Sequence, residues 1–307
     1  MSDNGVTEFL LKNIHKRLEF FNKEPVVFKE ILKHKNGKDE DRTPPCFIDG
    51  KVYLFHKHAF RVYDVKSGKR VNKIQLDNEC APDIMCSTVH KKIVLYYELT
   101  YELVVIDTET LVFKKFKDIF ISDEFTGYRR LCDIYVVNRK NQMVQFLSID
   151  KKDHCRVSIR IVSLENGKCT DCHIPKEDNM RSCMIVSLIR QNSRGDYLVG
   201  YHVKNIAVYN EQFEYMFEIH TFSGLLVHDV ISILTVDPLD NIYICFTATA
   251  KNFMHIYSPD GQYINCKTGV AGLWEMGYMD NRLFMRRKDG RVFMSNELFD
   301  PKYTSPE

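Results

Sequence analysis

The chain has 307 residues, of which 44% are hydrophobic, and its 43 basic and 41 acidic side chains give a formal net charge of +2. This composition supplies enough apolar material for one large domain or two smaller ones, and so small a net charge excludes binding of a polyanion through overall charge alone. No apolar run approaches the roughly 18 residues needed to cross a bilayer, and the first residues lack a signal-peptide pattern. We expect no membrane association, a cytoplasmic location and reduced cysteines.

The first predicted element is an amphipathic helix over residues 6–22, where apolar side chains recur at helical spacing. Residues 1–24 are therefore assigned to a helix with its linker, which either covers a β-domain or docks a partner. Pro25 ends the helix, and residues 25–32 (PVVFKEIL) predict a lone strand.

A polar turn followed by a short apolar strand recurs six times between residues 44 and 299. The six strands are KVYLFH, KKIVLYY, CDIYVVN, GDYLVGY, NIYICF and NRLFMRR, centred on residues 52, 93, 134, 197, 242 and 283. A period in the low forties with four strands per unit is typical of propeller blades. We predict an all-β, six-bladed β-propeller over residues 25–307, with residues 139–160 forming an elongated hairpin that accounts for the one long interval.

The last copy is one strand short, because after GRVFMSNELF the chain ends in PKYTSPE. The lone strand at residues 25–32 is the obvious fourth member of this blade. Pairing it there closes the ring and removes an exposed sheet edge.

Blade five, with LTVDPLDNIYI followed by HIYSPDGQYI, resembles an NHL repeat, and blade four, with LIRQNSRGDYLVG, is similar. The resemblance is specific over residues 183–267 and only architectural elsewhere. It implies a platform that binds RNA or proteins, as in the tripartite-motif NHL proteins, in post-transcriptional regulation or as a ubiquitin-ligase-associated adaptor. Those proteins carry zinc-binding ubiquitin-ligase modules before the blades, whereas this sequence has only the predicted helix there, so ligase activity in the chain itself is not implied.

The resemblance also implies that the binding face is the one with the loops between second and third strands. Basic residues occupy these predicted loops in five blades, and Glu98 and Glu102 occupy blade two. Cations interleaved with aromatic side chains suit the phosphates and splayed bases of single-stranded RNA. The predicted face comprises Lys57, His58, Arg139, Lys140, His202, Lys204, Lys251, Arg286, Arg287 and Lys288, with Tyr128, Arg129, Arg130 and Phe222 from the links between blades.

A protein partner is the open alternative. Loops are polar in most proteins, and acidic residues between the blades, such as Asp123, Glu124 and Glu177, dilute the basic patch. By itself the chain is expected to be a monomer.

A metal-dependent hydrolase of the lactonase type is a second functional alternative. Some six-bladed propellers hold a metal in the central channel, and Asp83, Asp229 and Glu275 are candidate ligands at the mouths of the innermost strands. Residues 169–173 (CTDCH) match the CxxCH spacing of haem attachment, but positions three apart in an extended chain lie on opposite faces. We therefore expect no cofactor, no metal and no catalytic residues.

Overall fold

The computed structural model describes residues 28–32, 45–56, 58–76, 82–87, 89–119, 129–151, 154–173, 186–201, 205–220, 230–237, 239–247, 253–268, 273–279, 282–287 and 291–295. These residues form six antiparallel sheets of four strands each. The predicted all-β, six-bladed propeller is confirmed. The predicted N-terminal helix lies outside the described residues.

The strands follow one another around the ring in chain order. The closing strand is β1 (Phe28–Leu32). Blade one contains β2 (Cys46–Ile48), β3 (Lys51–His56), β4 (Ala59–Asp64) and β5 (Arg70–Gln75), and blade two contains β6 (Asp83–Ser87), β7 (Lys92–Tyr97), β8 (Glu102–Asp107) and β9 (Phe113–Phe116). Blade three contains β10 (Arg129–Val137), β11 (Gln142–Lys151), β12 (His154–Ser163) and β13 (Cys169–His173).

The remaining three blades have strands of similar length. Blade four contains β14 (Val186–Gln191), β15 (Tyr197–Tyr201), β16 (Asn205–Tyr209) and β17 (Tyr215–His220). Blade five contains β18 (Val230–Val236), β19 (Ile242–Thr247), β20 (Phe253–Tyr257) and β21 (Tyr263–Thr268), and blade six contains β22 (Leu273–Met279), β23 (Arg282–Arg287) and β24 (Val292–Ser295).

The ring closes as predicted, because β1 supplies the fourth strand of blade six. It pairs antiparallel with β24, with Phe28 opposite Ser295 and Leu32 opposite Val292. Leu32 is buried in a cluster that also contains Phe47 of blade one. The closing strand therefore connects the last blade to the first through both backbone pairing and apolar contact.

The core consists of apolar layers between neighbouring blades. One layer joins blades three and four, where Phe146 and Tyr197 pack with ring centroids 5.9 Å apart. Second strands such as β7 are buried on both sides, since each lies between two neighbouring sheets, and Ile93, Val94 and Leu95 are all fully buried. This burial explains why the second strands are near-continuous apolar runs rather than alternating ones.

The predicted order of strands in blade three is shifted by one strand relative to the structure. The run CDIYVVN lies in β10 and is the first strand of its blade, whereas the corresponding runs are second strands in the other five blades. The elongated hairpin is present, but it consists of the second and third strands, β11 and β12, each ten residues long. The sequence could not separate these roles, because inner strands buried on both sides have the same apolar pattern.

The two flat faces of the ring carry different connections. We call the face reached by the second-to-third connections and by the links between blades the upper face. The first-to-second and third-to-fourth turns reach the opposite, lower face. Each first strand contacts the next around the centre of the ring, including β22 against β2, so the first strands surround the central axis. No helix in the described ranges is long and apolar enough to cross a membrane.

Candidate binding face

The upper face receives one connection between second and third strands from every blade. Five of these six connections contain a lysine, and blade two instead places Glu98 immediately after β7. The flanking strand ends are described, whereas the lysines lie outside the described residues, as do His202, Tyr128 and Phe222. The five lysines are Lys57, Lys152, Lys204, Lys251 and Lys288.

His58 is the described member of the blade-one connection. Its φ of 61° is left-handed, and its carbonyl oxygen accepts hydrogen bonds from the amide of Leu76 at 2.8 Å and from Gln75 Nε2 at 3.3 Å. These bonds tie the connection to the end of the outer strand, while the residue itself is exposed. The structure therefore presents the His58 side chain from a backbone that is held in place.

Arg129 and Arg130 were predicted in a link between blades, and they instead begin β10 at the upper end of blade three. Arg129 lies opposite Asp150 and Arg130 opposite Ile149 in the β11 strand. The long β11 and β12 strands continue on this side to the pair Lys151 and His154. Blade three therefore extends further than its neighbours on the upper face.

Arg286 and Arg287 were predicted in an exposed loop, which is wrong. Both belong to β23, both are half-buried, and the Nε atom of each is buried. The Arg287 guanidinium carbon lies 5.8 Å from the ring centroid of Phe293, within cation–π distance. The Arg287 side chain thus contributes to packing in blade six.

Arg139 and Lys140 do not lie on the upper face, in contrast to the prediction. They form the turn between β10 and β11, the first and second strands of blade three, which places them on the lower face. Lys140 Nζ makes an ion pair with Glu211 Oε2 at 2.8 Å. The error follows from the shifted phase of blade three, because a turn assigned to second and third strands is in fact one strand earlier.

The backbone of Arg139 links three blades. His90 Nε2 of blade two lies 2.9 Å from the Arg139 carbonyl oxygen, and the Arg139 amide donates to Gln191 Oε1 of blade four at 2.7 Å. Further along, the Ser193 amide and hydroxyl donate to the two carboxylate oxygens of Asp240 at 2.6 and 2.8 Å. The lower turns of blades two to five are therefore connected by hydrogen bonds.

Three of the first-to-second turns on the lower face repeat one capping arrangement that sequence analysis did not identify. The side-chain Oδ1 atoms of Asn138, Asn192 and Asp237 each accept hydrogen bonds from the amides two and four residues later, at 2.8 to 3.0 Å. Asn138 Nδ2 also donates to Tyr197 OH at 3.1 Å, and burial raises the pKa of that tyrosine. The repeated Asx residue four or five places before these three second strands is the signal that could have predicted this.

Two of the three candidate metal ligands lie at the upper ends of first strands. Asp83 begins β6 and is exposed, Glu275 lies in β22 opposite Arg286, and Asp229 is outside the described residues. Among the residues that the structure describes, no group of three His, Cys, Asp or Glu side chains could hold a metal ion.

The CTDCH segment forms the outer strand β13 rather than a ligand cluster. Cys169 is exposed and pairs with Val162, whereas Cys172 pairs with Ile159. In a strand these two positions project to opposite sides of the sheet. The extended conformation expected for this segment is confirmed.

No protein-family model matches this chain, and no curated protein sequence is similar to it. Solved propellers are similar in structure: a calcium-binding protein, regucalcin, from Agrobacterium tumefaciens has a TM-score of 0.56 and 13% identity over 89% of this chain and 94% of its own. The Swd1 β-propeller domain from Myceliophteria thermophila has a TM-score of 0.53 and 8% identity, with 87% and 99% covered.

Raptor from Chaetomium thermophilum is also similar, with a TM-score of 0.56 and 7% identity over 92% of this chain and 30% of that protein. At such low identities the similarity establishes the propeller fold alone. The NHL resemblance of blades four and five is not confirmed by these comparisons.

Proposed function

We propose that this propeller is a non-enzymatic interaction platform whose upper face binds an anionic partner, and that the partner is single-stranded RNA. The observation that carries the proposal is the lysine in five of the six connections that meet at this face. Lysines spread around a ring can contact successive phosphates of a flexible strand, whereas a rigid duplex would reach only a few of them.

The contrast with the lower face supports this assignment. There, Lys140 is paired with Glu211, and Arg194 Nε lies 3.2 Å from Asp196 Oδ2. Ion-paired cations must lose a partner before they can bind a phosphate, which reduces the gain from a new contact. Lys140 and Arg194 of the lower turns therefore suit a structural role, and the upper lysines suit a ligand.

The test is the affinity for a fluorescent oligouridine of about 20 nucleotides, measured by anisotropy across a series of salt concentrations. Replacing Lys152, Lys204 and Lys288 with Ala removes one cation from each of three blades. We expect binding to weaken tenfold or more, and the salt slope to flatten by about 2, since each lost contact with a single strand accounts for about 0.7.

The matched control is the double substitution Arg139→Ala and Lys140→Ala on the lower face. It removes two cations of the same blade-three region, and we expect less than a twofold change in affinity. Absence of oligouridine binding at low salt, or an unchanged salt slope in the triple variant, would overturn the RNA proposal. Partners that survive RNase treatment in a pull-down would then identify a protein ligand.

A metal-dependent hydrolase is the second candidate. It is favoured by the position of Asp83 and Glu275 at the upper ends of two first strands, which surround the central axis. A structural neighbour of this chain is described as a calcium-binding protein. Metal analysis of the purified protein discriminates the two functions, because one tightly bound Ca²⁺ or Zn²⁺ per chain supports the hydrolase and contradicts the platform.

A further inference from the structure

A groove of about 340 Å³ opens between the outer parts of blades one and two. Buried Tyr53 and Val62 of blade one line it on the inside, while Val71 of β5 and Leu111 of blade two line its mouth. Val71 is 55% exposed and Leu111 is 37% exposed. Apolar side chains around a concavity of this size can hold an anchoring side chain of a bound partner.

A β-bulge places Val71 at the groove. Val62 of β4 pairs with Asn72, and Tyr63 pairs with Arg70, so Val71 is an extra residue in the outer strand. Bulges re-aim side chains in this way. As a result Val71 and Asn72, although adjacent in sequence, both line the groove.

Leu111 adopts a backbone conformation that is unfavourable for leucine. Its φ is 58°, and the equivalent position in the third-to-fourth turn is Gly68 in blade one and Gly167 in blade three, with φ values of 65° and 71°. In all three turns the amide of this residue donates to the carbonyl four residues earlier at 2.9 Å. A side chain in this region is strained because its Cβ crowds the following carbonyl.

Burial does not offset the strain at Leu111 as it does at Phe213. Phe213 of blade four also has a left-handed φ of 64°, but it is only 5% exposed and stacks on Tyr197 at 4.9 Å between ring centroids. Leu111 instead leaves more than a third of its surface in solvent at the groove mouth. Strain retained without compensating burial is characteristic of functional positions.

The glycine turns leave no space at their own seams between blades. A Cβ atom at Gly68 would lie 2.9 Å from the Ile31 carbonyl oxygen, and one at Gly167 would lie 2.6 Å from Phe116 Cδ1. At the boundary between blades one and two, the equivalent turn has Leu111 in place of glycine, so a complete side chain occupies this position. The groove lies at the one turn of the three that has leucine instead of glycine. We infer that the Leu111 side chain keeps blades one and two apart at this point.

The outer parts of blades one and two are strongly basic. Residues 65–75 and 108–118 contain seven basic and two acidic side chains, a net charge of +5, and all nine are exposed. The corresponding residues 210–220 and 258–268 of blades four and five contain one basic and four acidic side chains, a net charge of −3. The basic character is therefore specific to the side of the ring that contains the groove.

The acidic side chains at the groove already have local partners. Asp64 Oδ1 accepts hydrogen bonds from the Ser67 amide and hydroxyl at 2.7 Å each, and Lys91 Nζ lies 2.6 Å from Glu109 Oε1. Lys66, Lys69 and Lys73 make no ion pair within the described part of the chain, whereas Lys115 Nζ lies 4.0 Å from Glu102 Oε1. The local field therefore favours an anionic ligand.

We propose that the seam between blades one and two is a docking site for an extended acidic peptide of a partner protein, anchored by one apolar side chain between Val71 and Leu111. The exposed basic side chains around the groove favour an acidic peptide, and the apolar mouth favours one apolar anchoring side chain. This site contains no residue of the upper-face connections and goes beyond the RNA-binding function proposed above, so either proposal can fail without the other.

The probe is a fluorescent peptide of about 12 residues, composed of Glu and Asp with one central Leu. The control probe has the same sequence with Ser in place of that Leu. We expect the full-length protein to bind the Leu peptide at least tenfold more tightly than the Ser peptide. Equal affinities for the two probes, or no binding of either at low salt, would overturn the proposal, since charge alone would then account for any interaction.

Leu111→Gly tests the site without disturbing the fold, because the equivalent turns of blades one and three have glycine at this position. We expect at least a tenfold loss of affinity for the Leu peptide, with a Tm within about 2 °C of the unsubstituted protein or above it. Leu99→Gly is the matched control: Leu99 is 83% exposed and lies in the same blade, but on its upper side. Unchanged binding by Leu111→Gly, or an equal loss in Leu99→Gly, would contradict the assignment.

A second copy of the chain is the competing occupant, since its blades four and five are acidic. Sedimentation velocity decides between the occupants. A monomer that still binds the Leu peptide supports the peptide site. A dimer that dissociates upon Leu111→Gly would overturn it in favour of self-association.

Discussion

The lower and upper faces of the ring use polar residues in opposite ways. On the lower face, turns of neighbouring blades bond to one another, as in the link from Ser193 to Asp240. On the upper face, the connections between second and third strands contain lysines in five blades. A basic residue in a loop is therefore not by itself evidence of a binding site, because its charge can be paired within the fold, as Lys140, paired with Glu211, illustrates.

Opening the ring should produce the largest effect, because both faces depend on closure. Deletion of residues 1–32 removes β1 and exposes Val292 and Phe284, which are fully buried at the junction of blades six and one. We expect a loss of several kcal/mol in the free energy of unfolding, from lost strand pairing and from exposed apolar surface. Chemical denaturation monitored by circular dichroism measures it.

Deletion of residues 1–22 is the control for this experiment, since it leaves β1 in place. We expect a much smaller change in stability. If the two truncated proteins unfold at the same denaturant concentration as the full chain, the closing strand does not contribute to stability and the closure scheme is wrong.

Breaking a lower-face link should produce an intermediate effect. Asp240→Ala removes the buried carboxylate that accepts hydrogen bonds from the Ser193 amide and hydroxyl, which we expect to cost about 1–3 kcal/mol. Asp240→Asn retains an acceptor and tolerates the left-handed φ of 62°, so it should cost less. On the upper face Lys204→Ala should change stability by less than about 0.5 kcal/mol. Equal destabilisation by Asp240→Ala and Lys204→Ala would remove the distinction between the faces.

The smallest predicted effect is a pH dependence at the turn that contains Leu111. The Thr110 amide, at 2.8 Å, is the main cause of a lowered pKa for Asp107. Because the folded-state pKa is lowered, this carboxylate stabilises the fold above its unfolded-state pKa, about 3.9. That contribution is lost as the pH falls through the folded-state pKa.

Thermal unfolding between about pH 5 and pH 2.5 compares the protein with Asp107→Asn, which keeps an acceptor but cannot titrate. The unsubstituted protein should lose more stability than the variant across this range. Parallel curves would show that Asp107 titrates normally.

Architecture was predictable from the sequence because it depends on patterns that repeat. Six apolar runs and an unpaired strand at residues 25–32 were enough to predict six blades and the pairing of β1 with β24. The site was less predictable, because it depends on which of the four strand positions in a blade each segment occupies. CDIYVVN has the apolar pattern of a second strand but is the first strand of blade three. Its assignment as a second strand led to the prediction of Arg139 and Lys140 on the wrong face.

The half-buried state of Arg286 and Arg287 was not visible in the sequence either. A run of two arginines at the end of a strand is typical of an exposed connection, and only the packing of Arg287 on Phe293 shows otherwise. The groove at Leu111 had no sequence signal by itself. It becomes apparent when the turns DVKSGK, DTETLV and SLENGK are superimposed and the glycine of the first and third is a leucine in the second.

Lysine footprinting by mass spectrometry, with the protein alone and with bound oligouridine, tests the difference between the two faces most directly. Reactivity with an amine-specific reagent reports which ammonium groups the ligand covers. We expect protection of Lys57, Lys152, Lys204, Lys251 and Lys288, and unchanged reactivity of Lys91 and Lys140 on the lower face. Protection of Lys91 and Lys140 with the upper lysines unchanged would contradict this expectation.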